Sequence, residues 1–153
     1  MNDIETINDE LRNILEIIND GGLNYAADIR FFEAVECVGK NAVDTIEAAI
    51  GNPIILGNTF VASTEDVILE LRTALSHIGE SSCHPNTSYV GTNKHKTDVY
   101  SIVNNIERKL KQAQQITGFW LKKGHPFYPV FWDFAFIVEF KDTACVLIGS
   151  SSD

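Results

Sequence analysis

Cysteine and histidine side chains that could bind a metal lie close together at one place in the sequence. Cys83 and His84 are adjacent, and His95 follows within the same polar segment, residues 80–96. A structural zinc ion needs four ligands, which usually come in closely spaced pairs. This segment has three candidates and no second pair, so we expect polar loop residues here and neither a metal nor another cofactor.

His125 and Asp133 are the second candidate for chemistry, because a carboxylate can orient an imidazole that acts as a general acid or base. His125 lies in the turn-forming sequence Gly-His-Pro, and nothing in the sequence fixes its distance from Asp133. The chain has no phosphate-binding glycine loop, no Gly-x-Ser-x-Gly nucleophile motif and no His-Glu-x-x-His motif. Enzymatic activity is therefore left open, and a non-enzymatic function is favoured.

Acidic residues are concentrated in the first half of the chain. Residues 1–80 contain fifteen Asp and Glu against four Lys and Arg, and the whole chain has a net charge of −9. This charge argues against direct binding of nucleic acid, whose affinity depends on Lys and Arg contacts to phosphate. It argues equally against binding to anionic membranes.

The carboxylates recur on the outward faces of the predicted helices, where they form three acidic stripes. The first contains Glu5 and Asp9, the second Glu33, Glu36, Asp44 and Glu47, and the third Asp66 and Glu70. Complementary charge accelerates association and selects partners, so these residues are the predicted docking site for a basic protein. The alternative is a solvated surface that needs no partner.

The most concrete form of this prediction is a cytoplasmic inhibitor, such as a bacterial immunity protein, that covers the cationic active site of a nuclease-like toxin. One alternative is a small enzyme or ligand-binding domain with a pocket between loop 80–96, His125 and the aromatic C-terminal strand. Another is a structural subunit of a larger assembly. The sequence determines neither the identity of the partner nor the oligomeric state.

The elements that must position these residues begin with helices. Ile4, Ile7, Leu11 and Ile14 follow helical spacing, and this first helix closes at Gly21-Gly22. A second helical pattern runs from Tyr25 to Ile50, as one helix or as two with a break near Gly39-Lys40. Third and fourth helices are predicted to begin at residues 63–64 and 97–98, and the fourth is expected to end near Ile116.

Strand signals lie between and after these helices. Two β-favouring runs, residues 54–56 and 59–61, flank Gly57-Asn58 and predict a short hairpin. Residues 131–140 and 144–148 predict a C-terminal hairpin, one face of which must pack on the helices because it is entirely apolar. That face contains Trp132, Phe134, Phe136, Val138 and Phe140. The opposite face, which contains Asp133, is expected to be exposed, and Ser150–Asp153 to be a frayed terminus.

Together these patterns predict an α+β fold in which four or five helices pack on a small antiparallel sheet with a C-terminal β-hairpin. The 153 residues fit a single globular domain. No export signal is recognisable and no apolar stretch approaches the length of a membrane span, so a soluble, cytoplasmic protein is expected. The three cysteines are then expected to be free thiols, with Cys37 and Cys145 in the core.

Overall fold

The computed structural model describes residues 3–34 and 41–153, and these ranges form four α-helices and five β-strands. The α+β class is therefore confirmed, with four helices in the described part of the chain. The elements in chain order are α1 (Asp3–Asn19), β1 (Ala26–Ala34), α2 (Ala42–Ile50), β2 (Ile55–Ala62), α3 (Thr64–Leu75), α4 (Asn93–Leu110), β3 (Gln115–Lys123), β4 (Asp133–Glu139) and β5 (Ala144–Ser152).

The five strands form one antiparallel sheet with the order β1-β5-β4-β3-β2. Strand β5 lies inside the sheet, where it pairs with β4 from Ala144 to Ser150 and with β1 from Ala144 to Ser152. Strands β4 and β5 are consecutive in the chain and antiparallel, as expected of the C-terminal hairpin. The hairpin is only two-fifths of the sheet, because β1, β2 and β3 supply the other three strands.

Helices cover both faces of this sheet. Helices α1, α3 and α4 pack on one face, which we call the α1 face, and α2 packs on the other, the α2 face. Phe134, Phe136 and Val138 are buried on the α1 face, as the apolar pattern predicted. The expectation of an exposed opposite face is wrong, because Ala135 and Ile137 are buried there in a second cluster that includes Ile46 of α2.

The helical prediction for residues 25–50 is wrong in its first part, where the chain forms strand β1. Burial alternates along this strand, and Phe31 is 1% exposed. The spacing of Phe31 and Val35 also suits a helix, but nine consecutive pairs with β5 stabilise the extended conformation instead. Helix α2 follows, with its N-terminus capped by Asn41 and its end at Gly51, which has the left-handed φ of 83°. The predicted break near Gly39-Lys40 and the thiol of Cys37 lie outside the described residues.

The short hairpin predicted for residues 54–61 is also wrong, because both runs belong to the single strand β2. Register shifts between Leu56 and Thr59 show a bulge that absorbs the residues expected to form the turn. Pairing with β3 keeps the two runs in line. Gly57 is needed in this bulge, since a Cβ there would lie 2.3 Å from the Trp120 ring.

The fourth helix begins earlier and ends earlier than the sequence predicts. Its N-cap is Thr92, whose hydroxyl accepts the backbone N–H of His95, and its last residue is Leu110. Residues 115–123 form β3 rather than the end of the helix. Gly118 lies in this strand under the ring of Phe60.

The C-terminal serines belong to the core rather than to a frayed terminus. Ser150 is 1% exposed and Ser151 is fully buried. The carbonyl of Ser151 accepts the backbone N–H of Val130 at 2.7 Å, and its own N–H donates to the carbonyl of Trp132 at 3.0 Å. The small side chains fit between neighbouring elements, and these backbone hydrogen bonds extend β5 beyond the apolar residues that marked it in the sequence.

The outer edge of β1 is closed by two asparagines of α1. Asn8 and Asn19 are eleven residues apart, about three helical turns, so both side chains point to the same side of the helix. The amide of Asn8 donates to Phe31 O and accepts from Phe31 N, both at 2.9 Å. Asn19 forms the same pair of bonds with Ala27, at 2.9 and 2.8 Å. Backbone groups that would otherwise be unpaired are thereby satisfied.

Truncation of the hairpin aromatics tests the core. We expect Phe134→Ala or Phe136→Ala to lower the free energy of unfolding by about 3–5 kcal/mol, the usual cost of removing a core aromatic side chain. Urea denaturation provides the measurement. The control is Tyr128→Ala, since Tyr128 is 70% exposed and its loss should change stability by at most about 0.5 kcal/mol. A loss below about 1 kcal/mol for both phenylalanines would contradict this packing.

Removal of an edge asparagine tests the closure of β1. Asn8→Ala should destabilise the protein by about 1–3 kcal/mol, because the N–H and C=O of Phe31 lose their partners together. Asn13→Ala is the matched control, since Asn13 lies on the exposed side of the same helix. Equal unfolding free energies for the two variants would show that the amide bonds to β1 contribute nothing.

Candidate functional site

The cysteine and histidines of the 80–96 segment do not converge. In residues 3–34 and 41–153 no group of three or more His, Cys, Asp or Glu is arranged to hold a metal ion. His95 is buried, and its Nδ1 accepts the N–H of Gly91 at 3.0 Å. Its Nε2 therefore carries the proton and donates to Leu75 O at 2.9 Å, which ties the start of α4 to the end of α3.

The rest of this segment packs against α1. His84 exchanges backbone hydrogen bonds with Leu23, and its ring Nδ1 lies 2.8 Å from Pro85 O. Asn86 donates to the carbonyls of Ile17 and Ile18 near the end of α1. The long loop of the sequence is therefore a packed connection whose polar groups are largely bonded to the backbone.

His125 and Asp133 are brought together, with Nε2 and Oδ2 separated by 3.9 Å. The His125 Nδ1 accepts the backbone N–H of Phe127 at 3.0 Å, so this nitrogen is occupied and Nε2 carries the proton that faces Asp133. Burial lowers the pKa of His125, and the charge of Asp133 opposes this shift. The imidazole thus fixes the turn after Gly124 and has no ring nitrogen left to accept a substrate proton.

Four cavities of the described surface lie elsewhere. One of about 180 Å³ lies between the start of α1, the end of β1 and α4, and Lys109 borders it, 3.7 Å from Asp3 and over the ring of Phe140. Three further cavities also lie along α1. None of these four is lined by His84, His125 or Asp133, and the described contacts place loop 80–96 and His125 on opposite faces of the sheet.

The first acidic stripe lies on α1, whereas the second is divided, because Glu33 borders the cavity at the start of α1 and Asp44 and Glu47 lie on α2. Asp9 pairs with Arg12 at 2.9 Å on α1, where Glu5 is also exposed. Glu33 is exposed on β1 rather than on a helix, and Glu36 lies outside the described residues. On the α2 face, the backbone N–H of Asp44 bonds the Asn41 cap, and the carboxylate of Glu47 accepts the N–H of Ile54.

The third stripe gains a carboxylate that the sequence did not place with it. Asp66 accepts the N–H of Ser63 in the capping box that begins α3. Glu70 is exposed, yet neighbouring atoms partly remove water from its carboxylate, and this raises its pKa, with Asp133 and Asp66 adding repulsion. Asp66, Glu70 and Asp133, which we call the α3 acidic cluster, therefore concentrate negative charge at one place.

Sequence reasoning missed an exposed apolar surface at the open edge of the sheet. Ile55, Phe60, Val61 and Trp120, which we call the β2 edge surface, are between 46% and 89% exposed. The signal for it was a pair of glycines in strand segments: Phe60 covers Gly118 and Trp120 covers Gly57 across the two strands. Glycine inside a strand often marks such a close approach.

Comparison with known protein families, curated proteins and solved structures finds no significant match. In the described ranges, no helix combines the length and apolar character required to cross a bilayer.

Neutralisation of Glu70 tests the α3 acidic cluster. Because the pKa of Glu70 is raised on folding, its protonated form is favoured, and the associated stability is lost as pH rises through that pKa. Glu70→Gln should therefore melt at a higher temperature than the wild type near pH 7, and the difference should shrink as pH falls and Glu70 becomes protonated. Thermal melts across pH provide the measurement.

Glu65→Gln is the matched control, since Glu65 is also exposed on α3. A melting difference for Glu70→Gln that stays constant with pH would contradict the raised pKa of Glu70.

Proposed function

We propose that this protein is a non-enzymatic, acidic protein-binding module that docks a basic protein. The most concrete form is an immunity-type inhibitor that covers the cationic active site of a nuclease-like toxin. Its contact residues are drawn from the three acidic stripes, with Asp66 and Glu70 at the centre and Asp133 added to them.

The observation that carries the proposal is the α3 acidic cluster. Partial desolvation, with repulsion from Asp133 and Asp66 added, makes the ionised form of Glu70 less favourable than it is in water. A Lys or Arg of the partner would relieve this repulsion. Part of the electrostatic cost of keeping Glu70 ionised is therefore already present in the isolated protein and does not have to arise on binding. Within the cluster this applies to Glu70, since Asp66 accepts the N–H of Ser63 and Asp133 faces His125. In the other stripes, Asp9 pairs with Arg12 and Glu47 accepts the backbone N–H of Ile54.

The second candidate, a small enzyme or ligand-binding domain, is favoured by one observation. The Nε2 of His125 and the Oδ2 of Asp133 lie 3.9 Å apart, so the carboxylate faces the imidazole from slightly beyond hydrogen-bond distance. The bond from the Phe127 N–H to Nδ1 counts against it, because a general base must accept a proton on the nitrogen opposite its carboxylate. The protein-binding function is therefore the stronger proposal.

Neutral isosteres, changed one stripe at a time, test the docking site. Three variants are compared: Glu5→Gln with Asp9→Asn, Asp44→Asn with Glu47→Gln, and Glu70→Gln with Asp133→Asn. Isosteres retain an oxygen acceptor where a side chain caps backbone N–H groups. The third variant should reduce the association rate with the basic partner roughly tenfold at low salt, because steering depends on local charge.

The association rate with the product of the adjacent gene is the measured quantity. It is measured between 0.1 M and 1 M salt, over which the Debye length falls from about 10 Å to about 3 Å. Melting temperatures no lower than that of the wild type show that the variants are folded. Binding that is indifferent to all three variants and to salt would contradict electrostatic docking. A loss confined to the first or second variant would move the site to that stripe.

A further inference from the structure

The two edges of the sheet are treated differently. At the β1 edge, α1 lies alongside the strand and its Asn8 and Asn19 satisfy outward-facing backbone groups. Strand β2, by contrast, pairs with β3 and with no other strand in residues 3–34 and 41–153. An unpaired edge presents a row of N–H and C=O groups that another strand can join.

The side chains of β2 do little to prevent such pairing. Its eight residues, Ile55–Ala62, include no charged residue and no proline, which are the usual means by which proteins protect an exposed edge. The bulge between Leu56 and Thr59 protects the first half of the strand. The second half, Thr59–Ala62, is in regular register with β3, and Val61 there is 89% exposed.

We propose that the β2 edge pairs antiparallel with the β2 edge of a second copy of this chain, so that one sheet runs continuously through a two-fold dimer. The pairing is centred on Thr59–Val61. Phe60 and Trp120, which are 53% and 46% exposed on the α1 face, are then brought next to the same side chains of the other copy. Their burial would add hydrophobic stabilisation to the backbone hydrogen bonds.

The charges at the two ends of β2 favour a second copy over other occupants. Lys123 pairs with Ile55 at the start of β2, and Lys122 is adjacent and exposed. Glu65 lies exposed in the first turn of α3, just beyond the end of β2. A two-fold axis brings the start of one strand to the end of the other, so the lysines of each copy approach Glu65 of its partner.

A basic extended peptide would be less well matched to this edge, because it would meet Lys122 and Lys123 at one end. The self-pairing centres on Thr59–Val61, whereas the proposed inhibitor function centres on Asp66 and Glu70 with Asp133. Glu65 borders Asp66 in the first turn of α3, so Val61→Lys is the variant that separates the two proposals. Either proposal can therefore fail without the other.

Sedimentation of the full chain at fixed ionic strength tests the dimer. Fixed salt is needed because each copy has a net charge of −9, whose general repulsion is itself screened by salt. The wild type should convert from monomer to dimer as concentration rises. Val61→Lys should weaken the dimer at least about tenfold, because the two-fold axis places the new charges near each other. Val61→Thr is the control, since threonine retains β propensity without charge.

A charge swap tests the antiparallel arrangement. Lys122→Glu with Lys123→Glu should weaken the dimer, and so should Glu65→Lys alone, because each leaves like charges opposite one another. The combination of all three changes should restore it, since the pairs are re-formed with their signs exchanged. Melting temperatures identify any variant that weakens the dimer by failing to fold.

Hydrogen exchange identifies the occupant of the edge. In the dimer, amides of Thr59–Ala62 should exchange more slowly as concentration rises. A chain that stays monomeric up to about 1 mM, where even weak specific assemblies form, would overturn the proposal. So would a dimer unaffected by Val61→Lys or not restored by the charge swap. Protection of these amides only when a basic partner is added would assign the edge to that partner instead.

Discussion

The burial of β5 on both faces is the constraint on which the rest of the structure depends. Every residue from Ala144 to Ser151 is buried, and the strand has a neighbour on each side. A strand of this kind needs helices above and below it, which is why α2 covers one face while α1, α3 and α4 cover the other. The acidic residues of α2 are consequently separated by the sheet from those of α1 and α3, so the three stripes do not form one continuous surface.

The residue types that suggested chemistry mostly stabilise turns and helix junctions. Each of the chain's four histidines has a structural contact: His77 stacks on Tyr25, His84 bonds Pro85, His95 joins α3 to α4, and His125 holds the turn before Phe127. The carboxylates behave similarly, since several cap a helix or accept a backbone N–H. What distinguishes Glu70 is that partial desolvation and the charges of Asp133 and Asp66 raise its pKa.

Edge protection is the second organising feature of the molecule. The side-chain amides of Asn8 and Asn19 close the β1 edge, where the backbone would otherwise be available for pairing. At the other edge, the rings of Phe60 and Trp120 cover only the glycines of β2 and β3. The molecule therefore presents two surfaces of different character: the α3 acidic cluster, suited to a cationic partner, and the uncharged β2 edge surface, suited to strand pairing.

Local patterning determined the parts of this protein whose sequence signals had a single meaning. The helical spacing of Ile4 to Ile18 gave α1, Ser63 with Asp66 gave the start of α3, and the apolar alternation of Phe134, Phe136 and Val138 gave the hairpin and its buried face. Composition likewise determined the acidic character. In these cases the local preference and the final packing agree.

Only the tertiary structure decided the segments that fit two patterns. Residues 26–34 became a strand because β5 offered nine partners, residues 55–62 became one strand because β3 runs beside both halves, and Ser150 and Ser151 became buried because neighbouring backbone bonds them. The proximity of Glu70 to Asp133 and the exposure of the β2 edge depend on the same long-range pairings. Short-range periodicity contains no information on which strands are neighbours, so these features could not be derived before the sheet was assembled.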